Sequence, residues 1–85
     1  MIQAQTLTFL SKNPTELARI GAFKLYEHPT RGDTAPVYMV TPSGQLINTG
    51  FYDLGDFDLT LCLELEESSK NETRIKLAGM VGGFQ

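Results

Sequence analysis

From Phe57 to Glu66 the chain alternates without a break. Phe57, Leu59, Leu61, Leu63 and Leu65 interleave with Asp58, Thr60, Cys62, Glu64 and Glu66. A period of two sends the two sets to opposite faces of a strand, whereas a helix would scatter the leucines around its cylinder. The pattern predicts a strand over 57–66 with one buried face, against the helix propensity of Leu and Glu. Ser68, Ser69, Lys70 and Asn71 read as a loop, and 73–81 alternates again. Pairing across that loop sets Leu65 opposite Ile75, Leu63 opposite Leu77, Glu66 opposite Arg74 and Glu64 opposite Lys76. One register satisfies both the apolar and the ionic pairs, which predicts a hairpin. Gly79, Gly82 and Gly83 then suggest a bulge or a close backbone approach.

The same reading of period and punctuation covers the rest of the chain. Segments 37–41 and 45–49 are partly apolar on both faces and flank Pro42, Ser43 and Gly44, a three-residue hairpin turn with Gly in the left-handed position. Strands apolar on both faces belong inside a sheet rather than at its edge. Segment 22–27 alternates Phe23 and Leu25 with Lys24 and Tyr26 and reads as a strand; 28–36 reads as a loop. Segment 5–10 reads as a strand with Leu7 and Phe9 on one face. Asn13, Pro14 and Glu16 resemble a helix start, with Leu17 and Ile20 facing inward and Gly21 as the stop. The expectation is an α+β fold: a small, mainly antiparallel, meander-like sheet of five to six strands with one short N-terminal helix, spanning 1–85 as a single domain.

Size and composition agree. Eighty-five residues, 41% hydrophobic and 20% charged, suffice for one modest core without staples. Cys62 is the only cysteine, so no intrachain disulfide exists and a reducing, cytoplasmic setting is expected. Met1 to Gln5 carry no positive charge ahead of a long apolar run, and no run is long enough to span a bilayer, so neither a leader nor a membrane association is expected.

Charge changes the picture most. Between Gly32 and Ser69 stand seven carboxylates (Asp33, Asp53, Asp56, Asp58, Glu64, Glu66, Glu67) and no Lys or Arg, while both flanks are net basic and the whole chain is −3. A negative protein is repelled by phosphate backbones, so direct nucleic-acid binding is not expected. The densest stretch is 51–58, where Phe51, Tyr52 and Phe57 sit among Asp53, Asp56 and Asp58. Aromatics that anchor and carboxylates that meet Arg or Lys make a protein-docking surface; the plainer alternative is a turn with Asp at hydrogen-bonding positions and aromatics in the core. Phe51, Tyr52, Asp53, Asp56, Asp58 and Glu67 are the candidate partner-binding residues, with 28–36 as a neighbouring loop.

Other constellations carry less. The three aspartates do not match a calcium-loop pattern, so no metal site is assigned. His28, the single histidine, lies near Glu27 and Asp33, but no activated nucleophile accompanies it, and no catalytic residue or cofactor is assigned. Cys62 among carboxylates would have a raised, not lowered, pKa, which opposes a reactive thiolate. Arg31, Gly32 and Asp33 form an adhesion tripeptide that reads better as a turn whose Gly permits positive φ. Asn71, Glu72 and Thr73 form a glycosylation sequon with no secretory signal to give it meaning.

The leading expectation is therefore a small acidic protein-binding module, not an enzyme, that docks its acidic-aromatic surface onto a basic cleft of a nucleic-acid-processing protein. Compact inhibitors of the kind phages and mobile elements encode share this size and charge. The alternative is a self-associating structural or assembly protein, a homodimer or larger, built on an exposed sheet edge.

Overall fold

The structure, a computed structural model, describes residues 3–55 and 57–82, with side chains described as far as Asn71. In chain order it contains helix α1 (Ala4–Leu10), strands β1 (Glu16–Ile20), β2 (Phe23–Tyr26), β3 (Tyr38–Val40) and β4 (Leu46–Asn48), and helix α2 (Leu59–Gly82). The four strands form one antiparallel sheet in the order β1-β2-β3-β4. The α+β class and the antiparallel meander are as expected. Among the described residues there are four strands rather than five to six and two helices rather than one, and the segment expected to be the helix is β1.

Three segments change type, each for an identifiable reason. Segment 5–10 is helical because Thr6, Phe9 and Leu10 follow helical spacing toward the sheet, leaving Leu7 exposed. Thr6 is fully buried, and its hydroxyl donates to the Gly44 carbonyl at 2.7 Å. Asn13 then ends α1 instead of starting a new helix. It takes φ 54°, and its N–H donates to the Leu10 carbonyl at 3.0 Å, so Asn and the following Pro serve as a helix stop. The chain leaves Pro14 extended into β1, and Gly21, at φ 59°, makes the two-residue turn to β2.

The largest change is at 57–66, where the expected strand and the hairpin to 73–81 are replaced by the single helix α2. Asp58 caps it, its Oδ1 accepting the Leu61 N–H at 2.8 Å. Cys62 and Leu65, three residues apart, face the sheet, and Leu59 and Leu63 remain 48% and 50% exposed. The proposed cross-strand ion pairs therefore do not exist as strand pairs. Gly79 and Gly82 fall within the helix span, and Gly83 lies outside the described residues.

The sheet is covered on both faces. On one, Phe23, Leu25, Val37, Met39 and Ile47 pack with Cys62, joined by Ala18, Ile20, Leu54, Phe57 and Leu65. On the other, Tyr26 and Val40 pack with Phe9, joined by Leu10, Tyr38 and Leu46. Helix, sheet, helix is the layering that explains why β3 is apolar on both sides. β3 lies inside the sheet as expected; its partner β4 is an edge strand. The β3–β4 hairpin has the expected turn, with Gly44 at φ 85° and pairs Tyr38↔Asn48, Met39↔Ile47 and Val40↔Leu46.

Candidate functional site

Strand β1 pairs Glu16 with Tyr26 and Ala18 with Leu25, so Leu17 is the extra residue of a β-bulge. A bulge re-aims the side chain it inserts. Here Leu17 lines a cleft of about 340 Å³ together with Val37, which belongs to the α2-side face of the sheet. The rest of the wall comes from two loops. Glu27, Gly32, Asp33, Ala35 and Pro36 come from the β2–β3 connection, and Tyr52, Asp53 and Leu54 from the β4–α2 connection.

Local hydrogen bonds shape both loops. In the first, His28 Nδ1 accepts the N–H groups of Thr30 and Arg31, each at 3.2 Å, and the His28 carbonyl accepts from Gly32 N–H at 3.3 Å. Gly32 takes φ 55°, as the turn reading of Arg31, Gly32 and Asp33 expects. A Cβ there would lie 3.3 Å from Glu27 Oε1, so the carboxylate of Glu27 sits directly over this glycine. In the second loop, the Phe51 carbonyl accepts from Val37 N–H at 2.7 Å, and Asp53 Oδ1 accepts from Gly55 N–H at 2.9 Å.

Three carboxylates, Glu27, Asp33 and Asp53, thus line the cleft together with apolar side chains, and among the described residues no Lys, Arg or His lines it. Glu27 and Asp33 have no side-chain hydrogen bond or ion pair with any described residue, and Asp53 has one oxygen engaged. Such a site suits a group with a cationic head and an apolar stem.

The six sequence-predicted residues separate. Tyr52, 60% exposed, and Asp53 line the cleft. Phe51 stacks edge-on against Phe57 at 5.4 Å and stands outside it. Asp58 is committed to capping α2. Glu67 is exposed on α2, nine residues beyond Asp58, which on a helix is about 13 Å further along and half a turn round. Asp56 lies outside the described residues. Leu17 and Glu27 were missed: a bulge leaves no periodic signature, and Glu27 reads equally well as a neighbour of His28.

Cys62 is completely buried, and its thiol is pushed up by burial first and by the Asp58 carboxylate second, which agrees with an inert role. Among the described residues no three His, Cys, Asp or Glu side chains come together to hold an ion, and no helix is long and apolar enough to cross a membrane. Comparison with known proteins finds no similar family model, curated sequence or solved structure.

Proposed function

We infer that the protein is a binding module that seats an Arg or Lys side chain of a basic protein partner in the cleft between the 28–36 and 51–54 loops. The observation that carries this reading is the lining: among the described residues it has three carboxylates, no base, and the apolar surfaces of Leu17, Val37, Tyr52 and Leu54. An arginine stem would lie over Leu17 and Tyr52 while its guanidinium meets the rim carboxylates. A partner that processes nucleic acid, with a basic cleft of its own, has the required chemistry; inhibition of such a partner is the role proposed here.

The test is a labelled peptide with one central arginine, compared with the same peptide carrying citrulline, which keeps the shape and removes the charge. Tighter binding of the arginine peptide, weakened by Glu27→Gln or Asp33→Asn, supports the reading. Equal binding of the two peptides, or none at millimolar concentration, ends it.

Self-association is the second reading. It is favoured by Leu59 and Leu63, four residues apart and half exposed on α2. Sedimentation of the wild type and of a Leu59→Ser/Leu63→Ser variant separates the two: a dimer abolished by the variant would establish it, and a monomer would remove it.

A further inference from the structure

The opposite face of the sheet carries a second concavity, a groove of about 590 Å³ between α1 and the ends of β3 and β4. Its floor is aromatic: Tyr38 lies 5.1 Å from Phe9 and 5.6 Å from His28, ring centre to ring centre. Among the described residues its one charged lining residue is Lys12, and Lys12 forms no ion pair with any of them. No acidic residue occurs anywhere in the first fifteen positions, so the segment forming this wall brings no competing carboxylate.

The decisive feature is how two neutral polar residues of the lining, His28 and Asn48, are engaged, beside Gln5 and Thr8, whose hydroxyl donates to the Ala4 carbonyl. His28 Nδ1 accepts two backbone N–H bonds, from Thr30 and Arg31, so the tautomer consistent with both carries its proton on Nε2. Asn48 Oδ1 accepts the Gly50 N–H at 3.0 Å, which fixes the amide orientation and leaves the Nδ2 hydrogens as donors. In both residues a backbone turn has consumed the acceptor and left a donor. With the Lys12 ammonium, the residues lining the groove carry three donor groups beside the rings of Phe9 and Tyr38.

We propose that this groove is a binding site for a small organic anion, a carboxylate or phosphate carried on an apolar or aromatic body. The anion would take hydrogen bonds from Lys12 Nζ, His28 Nε2 and Asn48 Nδ2, while its body lies against Phe9, Tyr38 and Leu46. The site is independent of the acidic cleft and has the opposite charge preference.

The test uses the full chain and four probes of similar size: benzoate, phenyl phosphate, benzyl alcohol and benzylammonium. Expected are shifts in the NMR signals of Lys12, His28 and Asn48 with one or both anions, and weaker or no response to the alcohol and the ammonium. The anion that binds more tightly identifies the head group. Lys12→Met should weaken anion binding by about tenfold or more, the loss of one charge-assisted hydrogen bond, and Lys12→Arg should retain it. Asn48→Asp keeps an acceptor for Gly50 N–H but replaces the donor with a carboxylate, so it should abolish anion binding with the rest of the spectrum intact. The proposal is overturned if benzylammonium binds these residues as well as benzoate does, if Asn48→Asp leaves the anion affinity unchanged, or if neither anion shifts them at millimolar concentration.

Discussion

At the scale of single residues, the acidic segment serves structure and binding at different positions. Asp58 is an N-cap, so Asp58→Ala should lower stability by about 1 kcal/mol while Asp58→Asn, also a good cap, should change it by only a few tenths. Urea midpoints of the two variants check this, and equal losses would contradict the capping role. Gly32 carries a different constraint. Its positive φ and the Glu27 oxygen above it mean that Gly32→Ala strains the backbone and crowds a rim carboxylate together, so a loss of roughly 1 kcal/mol or more is expected along with weaker arginine-peptide binding. Cys62 gives a pH dependence. Burial and Asp58 raise its folded pKa above the ordinary value of 9.0, so the neutral thiol is favoured by folding. That contribution is complete below the unfolded pKa and is lost as pH rises through the raised folded value. Tyr26, raised by burial and by Glu16 against an opposing Arg19, acts with the same sign above 10.0. Stability should therefore stay level on this account through neutral pH and fall at alkaline pH, with Cys62→Ala removing the earlier part of the fall in denaturation curves taken at a series of pH values.

At the scale of elements, α2 shows what the pattern of the chain conveys and what it conceals. Perfect alternation of Leu with polar residues is a strand signal, yet Leu and Glu are strong helix formers and Asp58 is a good cap, and here local propensity prevailed over period. The helix accepts the mismatch by burying Cys62, a residue the alternation assigned to the polar face, and by leaving Leu59 and Leu63 half exposed. Truncation distinguishes the two arrangements. On one strand face Leu63→Ala and Leu65→Ala would cost similar amounts; on α2, Leu65→Ala should cost clearly more, while Met39→Ala, deep in the core, should cost about 2–5 kcal/mol. The β2 strand and the β3–β4 hairpin were legible because their period, turn chemistry and two-sided apolar character all agreed. The start of the chain was not, because Asn13 and Pro14 suit both the end of one helix and the start of another. Nothing in the spacing of 16–20 announced the bulge that turns Leu17 into the cleft.

At the scale of the whole molecule, the separation of charge along the chain becomes a separation between faces. The basic N-terminal segment supplies Lys12 to the groove beside α1, and the acidic stretch supplies Asp33 and Asp53 to the cleft on the other side of the sheet. A net charge of −3 attracts any cation weakly from all directions, and that diffuse field is a competing explanation for whatever basic partner the protein binds. Two substitutions of equal charge separate the explanations. Asp33→Asn removes a carboxylate from the cleft, and Glu67→Gln removes one from an exposed position on α2. A diffuse field predicts equal, small losses in arginine-peptide affinity at low salt, and both would vanish at physiological ionic strength, where the screening length is about 8 Å. A seated guanidinium predicts an unequal result: Asp33→Asn should weaken binding several-fold more than Glu67→Gln, and part of that difference should survive at the higher salt, because a partner in the cleft excludes the solvent that would otherwise screen it. Fluorescence anisotropy of the labelled peptide at two salt concentrations, with the three proteins side by side, reads both quantities. Equal losses would assign the binding to net charge and leave the cleft without a role.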